Sequence, residues 1–254
     1  MENTPENITT QPTHITLKGA YGNLPFVRNP GLGIGVLFGA FFALMVIVSI
    51  GVGIFMFATG DVQLSAKGLR IITVVQDVFV FVVPAVIAAI VVTRLPANLL
   101  AITAKPQFTS IVMSLVILGV SMPAMEYIIS LNQSLPLPDS LGWLEDLIRK
   151  MEEDAANAVN ALAGGTSVGD LIIGVLIVGV LTGFSEEIFF RGAMLNLFMS
   201  TRMRKHLCVW LVAIIFSFMH FQFYGFVPLI LMGAYFGYLI WWTGSLWVPV
   251  IAHA

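Results

Sequence analysis

LGIGVLFGAFFALMVIVSIGVGIFMFA, residues 32–58, runs its whole length without an ionisable side chain. At about 1.5 Å per residue, a helix this long exceeds a hydrocarbon core of roughly 30 Å, so it crosses one with some tilt. A polar tail, residues 1–30, precedes it, and the run is about twice as long as the apolar region of a secretory signal, which predicts that it is retained. The whole chain of 254 residues shares the bias, with 58% hydrophobic and 10% charged residues and a mean hydropathy of +0.93. That composition excludes an ordinary soluble domain. A net charge of −2 argues against nucleic acid as a partner. The single cysteine, Cys208, excludes an internal disulfide, and its place in an apolar run argues against a thiol nucleophile.

Further apolar runs cover 71–93, 108–131, 171–200, 206–222 and 225–243, and another begins at 246. The expected fold is all-α, a polytopic transmembrane helical bundle of seven spans forming one domain over 31–254. The run 171–200 would measure about 45 Å as one straight helix, which predicts a bend near Gly183 or a strong tilt. Most connections are short. The exception, 132–167, sets two prolines ahead of an amphipathic stretch and predicts a helix over 140–162 at the membrane surface. With seven spans, one side collects Lys18, Arg28, Arg94, Lys105, Arg202, Arg204 and Lys205, and the other Lys67, Arg70, Arg149 and Lys150. The positive-inside rule then predicts a cytoplasmic N-terminus.

An ionisable side chain near the bilayer centre costs at least about 2.5 kcal/mol, so each one in a span calls for a partner or a task. GFSEEIFFRG, residues 183–192, holds three. Glu187 and Arg191 are four apart and stack on one helix face as an ion pair, whereas Glu186 lies about 100° away and points elsewhere. The bland alternative is that all three only hold helices together. In the next run His220 follows Phe216 by one turn. The basic loop near residue 203 lies midway between Glu186 and His220, so two antiparallel helices joined there bring those residues to similar depth. His253 offers a third polar group, but counting from the basic face puts it about 10 Å deep against about 22 Å for the other two. Asp77 and Glu126 are also intramembrane and are expected to form a shared-proton or hydrogen-bonded structural pair, with a relay role as the alternative.

A carboxylate beside a neutral imidazole, where water is limited, can act as a general base on a water molecule. Hydrolysis is therefore the expected chemistry. The His-Glu-x-x-His zinc signature is absent, yet one Glu and two His from separate helices could supply three ligands to zinc and leave a position open. These residues fix no cofactor with certainty, and zinc through Glu186, His220 and His253 stays open. A serine protease is disfavoured. Ser185 and Ser217 lack a nucleophile-elbow pattern, and sequence neighbours on a helix diverge.

These residues resemble the CPBP intramembrane proteases, the family of CaaX prenyl proteases and bacteriocin-processing or self-immunity proteins also called Abi. The Glu-Glu-x-x-x-Arg motif of that family is similar to Glu186, Glu187 and Arg191, and its Phe-x-x-x-His motif to Phe216 and His220. Its His-x-x-x-Asn motif starts at His253, with the asparagine position at 257, past the last residue given. The resemblance covers about 168–254. It implies an intramembrane endopeptidase, in some descriptions a metalloprotease, in which Glu186 activates water with His220, Glu187 pairs with Arg191, and His253 helps to stabilise the oxyanion. It also implies a peptide or lipidated protein substrate, contact with membrane lipid, and a place in a bacterial inner (cytoplasmic) membrane. The competing classes are a non-catalytic scaffold or immunity protein that keeps the constellation, and a proton-coupled transporter using Glu186, Asp77 and Glu126.

Overall fold

The computed structural model describes residues 27–60, 65–134, 139–164 and 167–254. Most of the expected polar tail, with His14 and Lys18, lies outside these residues, as do Pro136 and Pro138. Within the described residues the chain is helices and turns, with no strand. Five helices are long and apolar enough to cross a membrane: α1 (Pro30–Thr59), α2 (Ala66–Val92), α3 (Phe108–Gln133), α5 (Val168–Met199) and α7 (Phe226–Thr243). Between them, α4 (Gly142–Ala163) occupies the long connection where an amphipathic helix is expected. The fifth and the seventh of the expected runs differ from full spans. The helix α6 (Lys205–Met219) is apolar but has only 15 residues, and α8 (Trp247–His253) has 7.

Local chemistry sets the helix ends. Asn29 caps α1 by accepting the Leu32 N–H at 3.0 Å, Pro30 opens the first turn, and Gly60 closes it at φ 65°, a conformation that suits a residue without Cβ. Ser65 and Ser167 cap α2 and α5 in the same way as Asn29. Arg70 at the start of α2 binds Asp170 Oδ1 at 2.9 Å, Gly164 O at 2.8 Å and Leu162 O at 3.1 Å. One guanidinium thus ties α2, the end of α4 and the start of α5. Further along α4, Glu152 Oε1 accepts the Tyr224 N–H at 2.9 Å, which fastens the helix to the turn between α6 and α7.

The regular spiral of α5 is interrupted by wide π turns at Val175–Leu181 and Ile188–Leu195, on either side of Gly183. These wide turns flank the position where a bend or a strong tilt is expected, and such turns concentrate at functional positions. The second half of α5 is the axis of the bundle. Every residue from Ile188 to Met199 is buried, and Phe189 and Phe190 extend an aromatic chain from Phe41 on α1 to Phe216 on α6 with ring centres 5.1 Å apart at each step. Phe81 on α2 packs edge-on to Phe189.

The connection between α2 and α3 enters the bundle. Leu99 and Leu100 are buried, Ala101 adopts φ 55°, and a Cβ on Gly192 would stand 3.2 Å from Leu100 O. This loop captures the turn after α7. Leu246 N–H donates to Ala101 O at 3.0 Å, Trp247 Nε1–H to Ile102 O at 2.9 Å, and Ser245 Oγ to Ala104 O at 2.7 Å. The turn that starts α8 is thereby held inside the bundle, against a buried loop. The depth count for His253 fails for that reason, because it assumed a helix starting from the membrane surface.

Candidate active site

The Phe216-x-x-x-His220 spacing has a local cause. His220 is the cap residue of α6, and its Nδ1–H donates to Phe216 O one turn back at 2.8 Å while the two rings lie 4.4 Å apart. The turn then breaks at Phe221, whose φ is 52°. Bonding through Nδ1 fixes the ring and leaves Nε2 facing outward as the second functional atom.

His253, the last residue of α8, is held in an analogous way. Its Nδ1 lies 3.0 Å from Glu187 Oε1, its ring stacks on Phe236 at 5.1 Å and 23°, and a Cβ on Gly183 would stand 3.6 Å from its ring carbon Cγ. Both imidazoles turn Nε2 toward one atom, Glu186 Oε2, which lies 3.8 Å from each. The three groups brought together are thus the three anticipated from the sequence, on three different helices.

Glu187 and Arg191 form the i,i+4 pair read from their spacing, at 2.7 Å, with both side chains wholly buried. A buried ion pair requires more than its partner's charge. Arg191 also donates to Gly233 O at 3.1 Å and presents its guanidinium to the Phe216 and Phe236 rings at 4.4 and 5.3 Å, a favourable arrangement for a desolvated cation. Glu187 Oε1 therefore links Arg191 to His253, and Phe216 links Arg191 to His220. The pair that scaffolds and the groups that face Glu186 form one unit.

One contact at the site was not legible in the sequence. The Gly233 carbonyl serves Arg191 because α6 and α7 approach closely there, and a Cβ on Gly233 would stand 3.1 Å from Ala213 Cα and 3.3 Å from Phe216 Cδ1. The Gly233 and Gly237 spacing signals close packing in general terms but says nothing about a carbonyl ligand. Gly233→Val is expected to lower stability by about 1–3 kcal/mol, because added methyl groups overpack a closed contact. Thermal unfolding in detergent measures it.

The expected Asp77–Glu126 pair does not form. Asp77 is buried with Oδ2 2.7 Å from Thr182 Oγ1, while Glu126 is exposed on α3. Both residues lie within apolar runs, but α2 turns Asp77 inward to Thr182 on α5. The two serines weighed as nucleophiles serve the backbone. Ser185 Oγ donates to Thr182 O at 3.0 Å and Ser217 Oγ to Phe226 O at 2.7 Å.

Residues 168–254 match the Rce1-like family of type II CAAX prenyl endopeptidases. The match spans α5 to α8, the helices that carry Glu186, Glu187, Arg191, His220 and His253, and it bears out the resemblance read from the three motifs. No curated protein and no solved structure matched the chain. The Rce1-like segment supplies every side chain described above at the site. The rest of the chain contributes α1 to α4, including the loop that seats α8.

One carboxylate and two imidazoles are the right types for zinc, but among the described residues no group of three His, Cys, Asp or Glu side chains is arranged to hold an ion.

Proposed function

We propose that the protein is an intramembrane endopeptidase of the Rce1-like kind and that Glu186 is its general base. The observation that carries this reading is the convergence of two imidazole Nε2 atoms on the same carboxylate oxygen. Both His rings use Nδ1–H toward protein acceptors, so a neutral ring offers an acceptor at Nε2, and Glu186 Oε2 is an acceptor too. At 3.8 Å these atoms are too far apart for a direct hydrogen bond and suitably spaced for one bridging water. A water that donates one hydrogen to Glu186 Oε2 and the other to His220 Nε2 has its lone pairs free for attack.

Glu186 then takes a proton as the water oxygen bonds to the scissile carbonyl carbon. The carbonyl oxygen becomes an oxyanion. Protonated His253, with its positive charge supported by Glu187, can donate from Nε2 to that oxyanion. The C–N bond breaks as Glu186 returns the proton to the leaving amine. The buried charges balance in this state: Glu186 and Glu187 are negative, Arg191 and His253 positive, and His220 neutral. With side-chain exposures of 13% for Glu186, 25% for His220 and 20% for His253, the site is shielded but reachable by an extended peptide.

The substrate in this reading is a peptide or a lipidated protein C-terminus, taken from the membrane by a protein whose N-terminus is cytoplasmic and whose setting is a bacterial inner membrane. The test is cleavage of prenylated and unprenylated CaaX peptides by purified protein, with and without a strong zinc chelator. Cleavage that survives the chelator and falls about 10²-fold or more in His220→Ala is expected. Cleavage abolished by the chelator and restored by zinc would replace the metal-free base with a metal site. Failure of every peptide to be cut would favour the non-catalytic scaffold.

A further inference from the structure

Asp77 lies outside the three motifs and outside residues 168–254, yet it reaches the turn that carries Glu186. Its carboxylate is 4% exposed, and Oδ2 lies 2.7 Å from Thr182 Oγ1. The same Thr182 oxygen lies 3.0 Å from Ile177 O. A hydroxyl has one hydrogen, and a backbone carbonyl can only accept. Both contacts are full hydrogen bonds at the same time when Asp77 carries a proton and donates to Thr182 Oγ1 while Thr182 donates to Ile177 O.

The location gives this clasp its consequence. Thr182 stands at the junction where the wide turn Val175–Leu181 gives way to the regular turn Thr182–Glu187. A wide turn rotates everything after it relative to an unbroken α-helix, so the group that fastens the junction governs where later side chains point. Glu186 is four residues on, on the same face as Thr182. Asp77 itself opens the wide turn Asp77–Val82 of α2, which packs directly against Thr182–Glu187. Ser185 closes the same turn through its bond to Thr182 O.

We propose that Asp77, as a neutral carboxylic acid clasping Thr182, is a positioning residue that sets the rotation of the helical turn bearing Glu186. Neutrality also suits the charges nearby. Around Glu186 stand Glu187 and Arg191 on its own helix, His220 on α6 and His253 on α8, already balanced in the hydrolytic state. An ionised Asp77, within electrostatic reach of Glu186, would add an uncompensated charge in a dry site.

The catalytic arm of the test rests on Glu186 as base; the spectroscopic arm does not. In the full chain, Asp77→Asn and Thr182→Ser keep a donor or hydroxyl at each position and are expected to hold kcat within about threefold. Asp77→Leu and Thr182→Val remove the clasp and are expected to lower kcat by about tenfold or more with KM nearly unchanged, as misorientation of a reacting group does. Infrared spectra should show the C=O stretch of a protonated carboxylic acid in the wild type and its loss in Asp77→Asn. Wild-type kcat in both Asp77→Leu and Thr182→Val, or an unaltered band in Asp77→Asn, overturns the proposal. Equal damage from Asp77→Asn and Asp77→Leu also overturns it and points to an ionised Asp77. If Glu186→Gln cleaves normally while the band is lost in Asp77→Asn, the fault lies with Glu186 as base and not with the state of Asp77.

Discussion

Glu186→Gln is expected to lower kcat for peptide cleavage by about 10²- to 10⁴-fold, the range a positioned general base contributes, with little change in thermal stability. Gln keeps the shape of Glu but cannot take a proton. Its amide nitrogen would also place donors where Oε2 now faces the two Nε2 atoms at 3.8 Å, so water would be held in the wrong orientation or displaced. Because Glu186 has no hydrogen bond at Oε2 within the protein, the exchange breaks no structural contact there. Initial rates on purified protein, alongside unfolding curves, measure both quantities. A rate within tenfold of wild type would remove Glu186 from the role of base.

Arg191→Met should act in the opposite way, on stability before chemistry. Removing the guanidinium leaves Glu187 buried and charged, frees the Gly233 carbonyl, and withdraws the cation from between Phe216 and Phe236. Breaking one side of a buried pair costs about 3–5 kcal/mol, a large part of the 5–15 kcal/mol that holds a typical domain together. The variant should accumulate poorly and melt early. The double variant Arg191→Met with Glu187→Gln should recover part of the loss, since it no longer buries an unpaired charge. Denaturant or thermal unfolding in detergent reads the comparison. A single variant as stable as wild type would show that the pair does not anchor the site.

The two expectations separate neighbours in sequence. Glu186 and Glu187 differ by about 100° around one helix, so one faces the Nε2 atoms of both imidazoles and the other is buried between Arg191 and His253 Nδ1. The i,i+4 rule is enough to predict the Glu187–Arg191 contact and the divergence of Glu186, because both depend only on helix geometry. The Phe216-to-His220 relation was legible for the same reason, and its structural basis is the bond from Nδ1 back to the Phe216 carbonyl.

Depth arithmetic was less informative. It brought Glu186 and His220 to one level, since both are counted from the same short loop, but it separated them from His253. The loop Leu99–Ala104, whose burial no periodicity announces, draws the start of α8 into the bundle through bonds to Leu246, Trp247 and Ser245. The pairing of Asp77 with Glu126 failed because depth along the normal says nothing about which way a helix is rotated, and α2 faces α5 with its acidic residue.

From the sequence alone, the membrane setting follows from unbroken apolar runs that water would not tolerate, the ion pair from its four-residue spacing, and the cast of candidate catalytic residues from their rarity in those runs. Only the tertiary structure decided that Glu186, His220 and His253 meet, and that Asp77 joins their neighbourhood through Thr182. Those contacts depend on helix rotation, on the wide turns that reset it within α5, and on the loop that binds the start of α8. Each of these is fixed by packing between segments far apart in the chain, which no local pattern encodes.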